Sequence, residues 1–102
     1  MLTSTIEFTV PTAENVSIAF DALTVDLSDG RSITVPLAWY PRLINASKLE
    51  LDNWLLAGKG LGIHWEDLDE DISIEDLLLG KPSGESQSSF KNWLLSRAYH
   101  PA

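Results

Sequence analysis

Residues 23–35 read LTVDLSDGRSITV. Leu23, Val25 and Leu27 alternate with Thr24, Asp26 and Ser28, and the alternation resumes at Ile33 and Val35 before Pro36 ends it. A period of two places one apolar set on one face of a sheet and a polar set on the other. Between the runs stands Asp29-Gly30. That dipeptide suits a type I′ turn, in which both central residues need positive φ. The stretch therefore predicts a β-hairpin. Upstream, Val16, Ile18 and Phe20 alternate with smaller residues and extend the hairpin to a three-stranded antiparallel meander with one apolar face. Farther upstream Ile6, Phe8 and Val10 alternate until Pro11, so residues 1–15 read as a short strand or an N-terminal arm.

Downstream, Pro36 and Pro41 bracket Leu37 to Tyr40 and block regular helix there. Pro41 suits the first position of a short helical turn through Ile44. Ser47 with Glu50 three residues on forms a capping box, predicting a helix from Lys48 to Ala57 with Leu51, Trp54 and Leu55 on one face and Gly58 as its stop. Ile63, His64 and Trp65 suit a short strand returning to the sheet. Ser73 caps a second short helix, with Asp76 as its box partner and Gly80 as its end. Residues 81–89 have linker composition. Phe90 to Ala98 has helical spacing, with Ser88 or Ser89 as its cap. The fold class is α+β: an antiparallel meander of three to four strands packed with a central helix and one short helix, plus a C-terminal tail helix. The domain spans 16–80, followed by a polar linker and helix over 81–102.

With 102 residues the chain is of single-domain size. The absence of cysteine removes disulfides, thiolate metal sites and thiol nucleophiles, and fits a reducing cytoplasm. No stretch approaches the roughly 18 apolar residues that span a bilayer, so the chain reads as soluble and cytoplasmic, with no membrane partner. The net charge is −8 and the seven basic residues are scattered. Binding nucleic acid requires phosphates to be neutralised by clustered Lys or Arg, so no direct nucleic-acid partner is expected. A basic protein partner, or simple solubility, accounts for the charge better. Each of the four tryptophans, Trp39, Trp54, Trp65 and Trp93, can bury roughly 150–250 Å² in a core or an interface.

The chemical candidates gather after Gly62. Seven carboxylates and no base lie between Glu66 and Asp76. As a calcium loop starting at Asp67, the stretch has Ile72 where glycine is needed and Leu78 where glutamate is needed. It reads instead as an exposed acidic turn before the Ser73 helix. In a strand His64 and Glu66 share a face, so His64, Glu66 and Asp69 form a candidate polar site. No nucleophile is marked beside them, and a hydrogen-bonded structural histidine is the simpler reading. Gly58 to Gly62 lacks phosphate-loop spacing and reads as a tight turn. Trp39, Tyr40 and Arg42 form an aromatic–basic group of the kind found as interface anchors, although core packing is the simpler reading of it.

Together these blocks resemble a bacterial family, the domain of unknown function 2442 family, over residues 16–80. The resemblance rests on Asp29-Gly30-Arg31, on Pro36 to Leu43 (PLAWYPRL), on Ala46-Ser47 and on Gly60 to Gly80 with its GIHW and LDEDIS segments. It implies a small α+β domain with antiparallel strands around a helix, and no established reaction. Some relatives carry a helix-turn-helix region after this domain; only one tail helix follows here, so DNA binding does not carry over. Some family genes neighbour a second small domain, in the manner of toxin–antitoxin pairs. The expectation is a non-enzymatic interaction domain, the antitoxin-like half of a two-protein module, with Trp39, Tyr40, Arg42, Glu66, Asp67, Asp69, Glu70 and Asp71 as contact residues. No catalytic residue, cofactor or metal is expected. The alternatives are a small-ligand or divalent-cation site, a hydrolase using His64 with nearby carboxylates, and a homo-oligomer that covers the open sheet face.

Overall fold

The computed structural model describes residues 10–98. Ile6 and Phe8 of the expected arm, and His100, lie outside the described residues. The predicted meander is present: β1 (Ala13–Ala19), β2 (Ala22–Leu27) and β3 (Ser32–Pro36) form an antiparallel sheet in that order. The register sets Val16 against Val25 and Val25 against Ile33, and Ile18 against Leu23 and Leu23 against Val35. The period-two apolar set therefore shares one face. On the other face the Thr24 and Thr34 hydroxyls meet at 2.9 Å, and Ser32 donates to Asp26 at 2.6 Å.

The type I′ turn expected at Asp29-Gly30 does not form there. Asp29 does not have positive φ. The Gly30 N–H donates to the Leu27 carbonyl (3.1 Å) and only Gly30 is left-handed, at φ 92°. This is a type I turn followed by a glycine bulge. The Asp29 carboxylate instead accepts from the Arg31 backbone N–H and Nε, which holds its pKa below the usual value. The two-residue turn with both φ positive lies between β1 and β2, at Phe20 (52°) and Asp21 (64°). Phe20 thus leaves the apolar alternation and stands fully exposed at a hairpin tip.

After β3 the chain makes one 3₁₀ turn (Leu37–Trp39) and α1 (Pro41–Ile44), with proline at its start. The capping box forms as read: Ser47 Oγ accepts from the Glu50 N–H, and Glu50 accepts from the Ser47 N–H. The helix it starts, α2 (Lys48–Asp52), is shorter than predicted. Trp54–Ala57 is β4, paired antiparallel with β5 (Gly62–Trp65), and β5 pairs with β6 (Glu70–Ser73). A four-residue apolar run is too short for periodicity to separate helix from strand. Here the Trp54–Trp65 pairing decides it, with Asn53 breaking the helix and donating to Asp67 at 2.9 Å. A second three-stranded sheet, ordered β4-β5-β6, replaces the single return strand. The class remains α+β.

Ser73 accepts from the Asp76 N–H and starts α3 (Ile74–Leu78). Gly80 ends α3 at φ 71°: its N–H reaches Leu77 O and the Lys81 N–H reaches Asp76 O, the paired bonds of a Schellman stop. The tail helix α4 (Gln87–Ala98) is capped by Ser86, which accepts from the Ser89 N–H, rather than by Ser88 or Ser89. One core joins both sheets, with Leu23, Val25, Leu27, Leu43, Ile63, Trp65, Leu68 and Ile74 almost fully buried. Trp65 is the largest of them, and its indole N–H donates to Leu51 O (3.0 Å). Its burial contributes about 5 kcal/mol as an upper figure.

Candidate functional site

β5 and β6 set His64 directly opposite Asp71. His64 Nδ1 lies 2.7 Å from the Asp71 carboxylate and Nε2 lies 2.8 Å from Glu66. Both ring nitrogens face carboxylates, so the charged ring is favoured and the histidine pKa is raised, first by Glu66 and then by Asp71. Asp69, expected beside His64, makes no hydrogen bond to the ring. It ends the 3₁₀ turn Glu66–Leu68 in a left-handed conformation, and the strand offers Asp71 in its place. Glu66 and Asp71 are largely exposed, so the trio lies on the surface. With both nitrogens engaged, neither is poised to take a substrate proton. Among the described residues, no group of three or more His, Cys, Asp or Glu is placed to hold a metal ion.

The acidic stretch is more ordered than a loop. Glu66, Asp67 and Asp69 occupy a turn, Glu70 and Asp71 begin β6, and Glu75 and Asp76 occupy the first turn of α3, where the helix dipole favours negative charge. Glu70 differs from its neighbours. Burial, and then the nearby Glu85 charge, push its carboxyl up to about 7.

Glu70 faces a cleft of about 300 Å³ between β6, α3, the linker 81–86 and the start of α4. Arg42, on α1, closes one side. Its Nε and Nη2 grip Glu85 at 2.9 and 2.6 Å, and Nη1 donates to Leu68 O at 2.9 Å and to Asp69 O at 3.3 Å. The guanidinium carbon also stands 5.3 Å from the Trp93 ring centroid on α4. This fork draws the acidic turn, the linker and the tail helix together, and holds the Glu85 pKa low. Tyr40 lines the cleft and is 3% exposed. Its hydroxyl finds no hydrogen-bond partner among the described residues. Burial, with the charges of Glu70 and Asp76, pushes its pKa up to about 12, so the hydroxyl stays neutral.

The aromatic–basic group read as surface anchors is thus divided. Tyr40 is in the core, Arg42 is committed to Glu85, and Trp39 is half-buried against the core, its carbonyl accepting from the Ser83 N–H (3.0 Å). Aromatic and guanidinium types suit both uses, and the pattern gave no means of separating them. Glu85 and Ser89 were missed because linker composition carries no sign that it folds back. The Ser89 hydroxyl donates to Glu85 (2.8 Å). Among the described residues no helix is long and apolar enough to cross a membrane.

Comparison with known proteins places the chain among uncharacterised relatives. A crystal structure of a protein of unknown function from Rhodospirillum rubrum ATCC 11170 superposes with a TM-score of 0.64 at 28% identity, over 78% of this chain and 96% of that one. A solution structure of an uncharacterised protein from Chromobacterium violaceum has a TM-score of 0.62 at 21% identity, over 88% of this chain and 79% of that one, and shows a shared fold. No curated protein matches. The model of a protein family of unknown function, DUF2442, matches residues 13–83, and the chain belongs to that family.

Proposed function

We propose that the chain is a non-enzymatic interaction domain that offers its acidic turn and strand, Glu66 to Asp71, to a basic protein partner, as the antitoxin-like half of a two-protein module. One observation carries the reading: Glu66, Asp67, Asp69 and Asp71 are all exposed on one continuous segment. The nearest cations cancel only part of that field. Arg42 is already paired with Glu85, and His64 sits between Glu66 and Asp71. Complementary charge of this kind raises the association rate and selects partners. Trp39 borders the linker and provides apolar area at the margin. Tyr40 and Arg42 shape the surface from behind.

The test is capture of the product of the adjoining gene, followed by a salt titration. Micromolar binding that weakens with salt, and is lost when Glu66, Asp67 and Asp71 are changed to Lys, is the expected result. Binding that ignores those changes removes this surface from the interface. A second reading, self-association, is favoured by β4, an edge strand whose Leu55 and Leu56 are 50% and 38% exposed. Light scattering that returns a monomer mass at high concentration disposes of it.

A further inference from the structure

We infer that two copies of the chain join edge to edge through β4, antiparallel across a two-fold axis, so that the second sheet runs continuously from one molecule into the other. This deepens the self-association reading above and does not depend on the acidic face. The edges of the two sheets are not alike. An edge that exposes unpaired backbone recruits another strand unless charge, proline, a bulge or a packed helix blocks it. β1 carries the exposed Glu14 inside a register shift between Ala13 and Asn15. β3 ends in Pro36 and has α3 against it. β6 begins with Glu70 and Asp71. β4 reads Trp-Leu-Leu-Ala, with no charge, proline or bulge. Among the described residues nothing pairs with its outer side.

Register fixes how the copies meet. The Ile74 N–H donates to Leu61 O (3.0 Å), which continues the β5–β6 ladder. The same peptide group turns the Gly62 N–H the other way, so Gly62 and His64 bond to Ala57 and Leu55 of β4. Trp54 and Leu56 therefore aim their N–H and C=O groups outward. A two-fold axis normal to the sheet keeps every side chain on its own face, so residues pair only across an even offset. Only setting Trp54 opposite Leu56 of the second copy engages both residues, because Gly58 has already left the strand at φ 57°. Each such pair exchanges two N–H···O bonds, and Leu55 meets its own counterpart on the axis at about 4.5 Å between Cα atoms. The side chains suit that register. Leu56 lies on the core face opposite Ile63 yet is 38% exposed, and Trp54 of the second copy would cover it. Leu55, 50% exposed on the other face, would lie against Leu55. Asp52 precedes the strand and Lys59 follows it, so antiparallel pairing brings opposite charges together at both ends, where parallel pairing would set like beside like.

The experiment is sedimentation velocity of the full chain from about 10 µM to 1 mM, with amide hydrogen exchange at both ends of that range. So short a seam gives a weak dimer, with Kd on the order of 0.1 mM. Each copy carries a charge of −8, so added salt strengthens the dimer, the opposite of its effect on a basic partner. Leu55→Lys sets like charges across the axis and weakens the dimer more than about tenfold. An equal mixture of Leu55→Lys and Leu55→Glu restores it. Leu79→Lys, at a leucine 61% exposed beyond α3, leaves it unchanged. The half-exposed Leu55 lets its variants keep the parent's circular dichroism. Exchange at the Trp54 and Leu56 amides slows as the parent chain is concentrated. A monomer at every concentration overturns both this inference and the self-association reading. A dimer that ignores Leu55→Lys, or that the mixture fails to restore, overturns the β4 seam and leaves self-association standing. Slow exchange at Leu56 that does not change with concentration gives the edge to another occupant and overturns the seam. Capture of the basic partner by the monomeric Leu55→Lys chain decides the acidic-face reading separately.

Discussion

Replacing Phe20-Asp21 by Asn-Gly should stabilise the protein. Both residues lie in the left-handed region, at φ 52° and 64°. An L-residue there is disfavoured by roughly 1–2 kcal/mol, and Asp tolerates it better than Phe. Asn at the first position relieves part of that strain and glycine at the second relieves most of it, together about 2–3 kcal/mol. Glycine also enlarges the unfolded ensemble, which takes back about 0.5–1 kcal/mol. Phe20 is fully exposed, so its removal forfeits no packing. The net expectation is a gain of about 1–2 kcal/mol, or roughly 5–10 °C in melting temperature for a chain of this size. Thermal melts by circular dichroism, paired with urea unfolding at constant m-value, measure it. An unchanged or lower melting temperature refutes the reasoning, because it means that Phe20 makes a stabilising contact or that the turn carries no strain.

Other outcomes follow from the same structure. Arg42→Ala should cost about 3 kcal/mol by leaving the mostly buried Glu85 unpaired, and Arg42→Lys should recover little because an ammonium cannot form the fork. A loss under about 1 kcal/mol for Arg42→Ala in urea unfolding refutes this. Gly60→Ala should destabilise strongly: Gly60 is at φ 89°, and an added Cβ would lie 2.8 Å from Thr12 Cβ, so the Thr12 segment must shift; a wild-type melting curve is the contrary result. Stability should peak in mildly acidic solution. Glu50, held down at about 2 by Arg97, stabilises above its ordinary 4.5 and loses that contribution as pH falls toward 2. Glu70 and His64 have raised values, so their contributions are full below 4.5 and 6.5 respectively and fade as pH rises through about 7 for Glu70 and through the raised value for His64. Urea midpoints across pH should fall on both sides, with Glu70→Gln flattening the alkaline limb; a maximum above pH 8 overturns the assignment.

Local chemistry was legible where it was self-contained. The Leu23–Val35 alternation, the Ser47–Glu50 box, the Ser73 cap and the Gly80 stop depend on neighbours within a few residues, and the sequence pattern located each. What failed depends on partners far along the chain. Whether Trp54 to Ala57 coils or extends is decided by β5, which ends at Trp65. Which hairpin takes the two-residue turn is decided by how β1 meets β2, and Phe20 gave no local signal of it. The site divides in the same way. His64 beside Glu66 followed from strand alternation, whereas Asp71 entered only through cross-strand register. The cleft needed Arg42 to meet Glu85, 43 residues away, and no periodicity records such a meeting.

No residue of α4 is fully buried. Its main ties are Arg97 to Glu50, Trp93 beneath two guanidinium groups, and the Arg42 grip on Glu85 just ahead of it. The final helix is therefore latched rather than embedded. Prising Glu85 loose would free the linker from Arg42, while the Arg97–Glu50 pair still fastened the helix and Arg42 still held the acidic turn.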